Sequence, residues 1–183
     1  APATVDDWHQ ATCEMLEPLY ELQKERVFSS SLLAGDGSPF PIINCEKHKT
    51  VGHYMIQYRS VITGIPIFLV NTKNKCGRGQ ADIMDNLKDW TGNVFMCDAY
   101  AGYDWMKKIE GLILCRCVAH ARRTAERALK ENPTLAQIAL LFYQDAYLVE
   151  EIIKKKGLTG AEKTKFRQEQ AGHQALWSCG LEK

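Results

Sequence analysis

The sequence predicts an α/β domain: a mixed sheet of five strands flanked by helices, followed by a stretch that is helical throughout. Three observations carry this. An alternating segment, residues 53–60, and an apolar one, residues 65–71, flank Thr63-Gly64 and read as an antiparallel hairpin. Two later apolar runs, residues 93–98 and 111–117, are separated by a helical pattern, as parallel strands joined by a crossover require. From Pro133 onward apolar residues recur only at helical spacing. The 183 residues are enough for one domain with a proper core, and 45% hydrophobic with 25% charged content is ordinary for a globular chain.

In order, Thr4 or Asp6 is placed to cap a first helix whose apolar positions are Trp8, Met15, Leu16, Leu19 and Leu22. Pro18 predicts a kink or break in it. Residues 1–30 read as a lead-in, 31–132 as the α/β core and 133–183 as a helical region. The first strand is expected at 32–36, ended by a turn through Gly35, Gly37, Ser38 and Pro39. A polar loop is expected over 43–51, then strands at 53–60 and 65–71, with Pro66 at a strand start or a sheet edge. A helix over 81–90 buries Ile83, Met84, Leu87 and Trp90. The strand at 93–98 is nearly all apolar, as an interior strand should be. A short helix follows at 103–110, started by Asp104, then a strand at 111–117 and a helix over 119–131. The helix from Pro133 carries the stripe Leu135, Ile138, Leu141, Phe142, Leu148, Val149 and Ile152. Lys154-Lys-Lys and Gly157 suit its end. Thr159, with Glu162 three residues on, caps the last helix, 159–176.

The net charge of +1 excludes a global basic field, so nucleic-acid binding needs a local patch. No apolar run is long enough to span a membrane. No signal pattern or initiator Met opens the chain, which predicts that it is cut from something longer, and seven cysteines without a signal peptide point to a reducing compartment.

The chemistry centres on two aspartates. Asp36 and Asp98 each follow an apolar run and precede small residues. Two carboxylates on neighbouring strands repel unless a cation or a proton offsets them. Mg²⁺ prefers such oxygen ligands, and a pair of ions about 3.5–4 Å apart supports phosphodiester chemistry. The plainer reading makes each a turn-capping Asp. Asp104 and Glu110 lie nearby, and Glu150 could face the site from its helix. Lys73, Lys75, Arg78, Lys107 and Lys108 could form a phosphate-contacting strip, or a solvated face. His120, Arg122 and Arg123 open a helix, where backbone N–H groups favour phosphates. Cys115, Cys117 and His120 invite a zinc site completed by His173 or Cys179, without a paired C-x-x-C knuckle. A Cys117–His120 nucleophile pair is a further formal option with no oxyanion site.

Asp98-Ala-Tyr-Ala-Gly-Tyr103 and Cys117-Val-Ala-His120-Ala-Arg-Arg123 resemble the D-x-Y-x-G-Y and C-W-A-H-A-R-R motifs of the insertion-sequence-66 family of bacterial transposases. Leu33-Ala-Gly-Asp36-Gly-Ser-Pro39 is similar to its first-aspartate segment, H-A-D-E-T-P. Ala146-Tyr-Leu-Val-Glu150 resembles its L-Y-x-I-E helix and Phe166-Arg-Gln-Glu169 its R-Q-E. Asp7-Trp8 and Leu16-Glu-Pro-Leu19 resemble its lead-in. The resemblance implies a ribonuclease H-like core with a DDE triad that cuts and joins DNA with Mg²⁺ or Mn²⁺, with Asp36 and Asp98 as the first two acids. The partners it implies are transposon ends, target DNA and further copies of the chain, in the bacterial cytoplasm. Gly37 stands where the family usually has Glu, and Val118 where it has Trp. The third acid, in a later N-N-x-x-E-R segment, is expected beyond Lys183, so the chain is expected to be a central piece, inactive alone. Its competitors are a non-catalytic DNA-binding or assembly remnant and a small thiol or zinc protein.

Overall fold

The computed structural model describes residues 2–44, 48–70 and 77–178, in two compact units, residues 1–117 and 118–183. The first unit runs α1 (Pro2–Phe28), β1 (Leu32–Asn44), β2 (Lys49–Ser60), β3 (Pro66–Val70), α2 (Gln80–Asn86), β4 (Val94–Cys97), a 3₁₀ segment (Ala101–Lys108) and β5 (Ile113–Arg116). The second holds α3 (Val118–Ala128), α4 (Pro133–Lys156) and α5 (Gly160–Ser178).

The sheet order is β3-β2-β1-β4-β5. β1, β2 and β3 form an antiparallel meander, while β1, β4 and β5 are parallel. This mixed five-stranded sheet with helices is the predicted class and is consistent with a ribonuclease H-like order. Pro66 opens β3, which is an edge strand, where its missing N–H costs no ladder bond.

One face of the sheet makes the core. Leu33, Ile56, Tyr58, Ile67, Phe95 and Cys97 are buried there beneath Val27 and Phe28 of α1, Ile83 of α2, and Tyr103 and Met106 of the 3₁₀ segment. The Phe95 ring sits among Tyr58, Trp90 and Tyr103, with centroids 6.4, 5.6 and 5.4 Å away. At Gly35 a Cβ would lie 2.6 Å from Phe95 Cζ, so the ring occupies the space that any other residue would fill. A small polar cluster closes the end of the core. The Ser60 hydroxyl donates to Ser30 Oγ, which donates to the Leu32 carbonyl (both 2.9 Å), and the Trp90 indole N–H donates to the Ser30 carbonyl (2.8 Å). The opposite face carries Asp36, Gln57 and Met96 by alternation and leaves Phe68 and Ile113 exposed.

Several boundaries move. α1 is continuous across Pro18, although the proline withholds an N–H from the Glu14 carbonyl. It starts at Pro2, so Thr4 and Asp6 lie inside it and are not caps. β1 does not stop at Asp36: it runs on to Asn44, paired with β2 from Leu33↔Ser60 to Asn44↔Lys49. The predicted turn at 35–39 is strand, because Gly35 and Gly37 serve close packing and not chain reversal. Of the loop predicted over 43–51, residues 43–44 and 49–51 are strand, and residues 45–47 lie outside the described residues. The 103–110 helix is the 3₁₀ segment, and Asp104 lies within it, not at its cap.

In the second unit, Asn132 accepts from the Leu135 N–H at the start of α4, and Gly157 ends it in a left-handed conformation (φ 63°). Leu135, Ile138, Leu141, Phe142 and Leu148 are exposed, so the predicted stripe is not a buried one; Ala136 and Ile153 are the buried positions of α4. Glu150 is gripped in a two-pronged ion pair by Arg167 of α5, at 2.6 and 2.7 Å.

Two predictions follow from this packing. Gly35→Ala forces Phe95 to move and should destabilise the first unit by roughly 1–3 kcal/mol, read as a lowered melting temperature. Arg167→Ala should cost less than about 1 kcal/mol, because the pair is half-exposed. The hydrogen bond from Arg167 holds the Glu150 carboxyl below its ordinary value. The pair's contribution is therefore full above that ordinary value and fades as pH falls through the depressed one. Melting curves of wild type and Arg167→Ala should converge under acid conditions.

Candidate active site

β1 and β4, the strands that carry Asp36 and lead to Asp98, pair in parallel. Leu32, Leu33 and Ala34 pair with Val94, Phe95 and Met96, where the pairing ends; continued two steps, that register would align Asp36 with Asp98. Asp98 lies just past the end of β4. Asp36 lies inside β1, beyond the last β1–β4 pair, with Gln57 of β2 on its other side.

Asp98 is held at three points. Its Oδ1 accepts the Tyr100 N–H (3.0 Å) and its Oδ2 meets the Arg78 guanidinium (2.5 Å). Its carbonyl accepts from Arg116 Nη1 at the end of β5 (2.5 Å). Arg116 also binds Asp104, which pairs with Lys107 (2.8 Å), and contacts Cys97 Sγ (3.2 Å). Lys107 foremost, with Arg116, holds the Asp104 carboxyl below its ordinary range. Burial pushes the Cys97 thiol up to about 11, with Arg116 only partly opposing it, so Cys97 is a protonated core residue at neutral pH.

Arg78 is the residue whose placement the sequence did not foretell. It lies immediately before α2, where the buried Asp82 accepts the Gly79 N–H (3.0 Å) and fixes the backbone. Its side chain passes over β1 at Gly37: a Cβ there would be 3.1 Å from Arg78 Nε. The guanidinium then stacks between Tyr54 and Tyr100, 5.0 and 4.2 Å from their centroids, with only 15% of the side chain exposed. Burial disfavours its charge, but Asp98 more than offsets that and raises its pKa. Alternation along β1 turns Asp36 to the face opposite the one where Arg78 crosses Gly37. The Asp98 carboxylate is thus drawn toward Arg78, while Asp36 is an exposed acid on the other side of the strand.

The remaining candidates scatter. Lys73 and Lys75 lie outside the described residues. Arg122 pairs with Glu126 (2.9 Å), Arg123 is exposed and His120 is half-buried in the first turn of α3. Glu150 is engaged by Arg167, not by the aspartate site. Among the described residues, no three His, Cys, Asp or Glu side chains are grouped so that they could hold a metal ion. The zinc reading on Cys115, Cys117 and His120 thus finds no cluster there, and the His173 side chain and Cys179 lie outside the described residues. No helix of the described residues is long and apolar enough to cross a membrane.

No curated protein matches the chain. A family model does, and it covers both aspartates, both helices joined by the Glu150–Arg167 pair and the whole sheet. With residues 1–176 matched by the model of the transposase IS66 family, the chain belongs to that family.

Proposed function

We propose that this chain carries the two-aspartate part of a DDE transposase site, in which Asp36 and Asp98 together bind Mg²⁺ or Mn²⁺ for DNA cleavage and strand transfer. The reading is supported by one observation, the parallel pairing of Leu32–Ala34 with Val94–Met96, whose continuation would bring Asp36 and Asp98 level. The donor chemistry fits as well: both are carboxylates, the hard oxygen ligands these ions prefer. A bound ion would supply Lewis-acid activation of the attacking and leaving oxygens.

Arg78 sets the condition for binding. Its guanidinium already neutralises Asp98 and holds that carboxylate on the Gly37 side of β1. The Asp98 oxygen that Arg78 engages is one that a divalent ion held with Asp36 would need, so Asp98 would have to exchange Arg78 for the ion. The bond from Arg116 to the Asp98 carbonyl does not involve the carboxylate and would not have to break for that exchange.

DNA is the substrate this reading implies, met by Lys73, Lys75, His120, Arg122 and Arg123. Arg78 leaves that set, since its charge is engaged by Asp98. The bacterial cytoplasm is the compartment that goes with this role.

Calorimetric titration of Mn²⁺ tests the reading. Arg78→Ala should tighten Mn²⁺ binding by about 10- to 150-fold relative to wild type, since a competing charge-assisted bond worth ~1.5–3 kcal/mol is removed. Adding Asp36→Ala or Asp98→Ala to Arg78→Ala should abolish that binding. Retained affinity in either double variant would refute the shared site.

A further inference from the structure

We propose that Asp104 is a positioning residue for Asp98, acting through Arg116. Its role rests on the two-aspartate reading of the site and adds the group that holds one of the two acids in place. The backbone ladder between β4 and β5 ends with the Cys117 N–H donating to the Cys97 carbonyl (2.7 Å). The next carbonyl, that of Asp98, lies past the strand. It takes its bond from a side chain, Arg116 Nη1 (2.5 Å). Arg116 thus extends the ladder by one residue, with a guanidinium in place of a peptide N–H.

A long side chain replaces a backbone donor well only if its own position is fixed, because an arginine has much rotamer freedom to lose. Its planar fork allows it to be held at two points at once. Here Nη1 is on the Asp98 carbonyl, and Nη2 is on Asp104 Oδ1. The anchor itself is firm. Asp104 follows Tyr103 and lies two residues before Met106, and both of those are fully buried in the core. A continuous set of contacts therefore runs from the core, through the 3₁₀ segment, to Asp104, Arg116 and the Asp98 backbone.

Two plainer roles fit less well. Asp104 also accepts from Lys107 in its own segment (2.8 Å), and an exposed pair of that kind contributes little to stability. The Lys107 bond stays within the segment, whereas the Arg116 bond crosses to β5 and leads on to Asp98. Nor is Asp104 a third metal ligand. Its Oδ1 is shared by two cations, and among the described residues no three His, Cys, Asp or Glu side chains are grouped to hold an ion. Removing the Asp104 carboxylate leaves Arg116 without its counter-ion beside Asp98, whose own carboxylate then attracts the guanidinium away from the carbonyl.

Amide hydrogen exchange of the whole chain, without metal, reads the placement of Asp98. The Tyr100 N–H donates to Asp98 Oδ1 (3.0 Å). Two reference amides lie close by: Cys117 N–H donates to the Cys97 carbonyl (2.7 Å) and Tyr103 N–H to the Tyr100 carbonyl (3.2 Å). In Asp104→Ala the Tyr100 rate should rise by roughly 2- to 12-fold, the equivalent of one net hydrogen bond, while both references keep their wild-type rates. Arg116→Ala should give the same rise and the double variant no more, because both act through one contact. Asp104→Glu, which keeps the carboxylate, should restore the slow rate, and Lys107→Ala should leave it unchanged. Added to Arg78→Ala, Asp104→Ala should weaken Mn²⁺ binding by about 10-fold. An unchanged Tyr100 rate overturns the proposal, as does an equal acceleration of all three amides or an additive double variant. So does an Mn²⁺ affinity that ignores Asp104 while still requiring Asp36. If no variant binds Mn²⁺, the two-aspartate reading fails, and the amide rates alone decide whether Asp104 positions Asp98.

Discussion

The contact between Phe95 and Gly35 fixes the part of the fold on which the aspartate site depends. A phenyl ring from β4 lies where a side chain of β1 would otherwise stand, and it is enclosed by Tyr58, Trp90 and Tyr103. Close packing of this kind admits one register between two parallel strands, since a one-residue slip would turn Phe95 to the exposed face. The pairing of Leu33 with Phe95 is that register. Carried two residues past its last pair, that register would align Asp36 with Asp98, so the proposed site depends on an apolar contact three residues upstream of Asp98.

Beyond the ladder, two arginines take over. Arg116 comes from β5 and binds the Asp98 carbonyl, while Arg78 comes from the turn before α2 and binds the carboxylate. Their roles differ with their targets. A guanidinium on a backbone carbonyl locates the chain and leaves the side chain free to choose partners. A guanidinium on the carboxylate is itself a partner, and a half-buried one stacked between two tyrosines gives up its place reluctantly. The resting arrangement at Asp98 is thus charge-neutral without any bound ion.

Much of this was legible in the residues. Apolar runs separated by turn signals gave the five strands and their order, because strand burial writes itself directly into hydrophobic pattern. Pro66 at an edge and Gly157 at a helix end followed from single-residue stereochemistry. The resemblance carried by residues 98–103 and 117–123 led to the family now matched over residues 1–176. What failed was the stretch around Asp36. Gly-Asp-Gly-Ser-Pro has the composition of a turn, yet it is strand from end to end. Glycine in a strand interior marks close approach by something else, and what approaches here, Phe95 and Arg78, is remote in sequence. Local propensity has no access to such partners. The exposed stripe of α4 failed for the related reason that periodicity gives a face but not what covers it.

The two glycines on either side of Asp36 also explain why Arg78 meets Asp98 at all. They point to the same face of β1; one makes room for Phe95 and the other for the Arg78 side chain. The related motif usually carries Glu where this chain has Gly37. A Cβ at that position would lie 3.1 Å from Arg78 Nε, and a carboxylate carried on it would compete with Asp98 for the guanidinium. With glycine there, Arg78 crosses the strand unobstructed and its charge goes to Asp98. The glycine at 37 and the ion pair at Asp98 go together: with no side chain on β1 there, the Arg78 side chain passes over the strand and its guanidinium reaches the acid after β4.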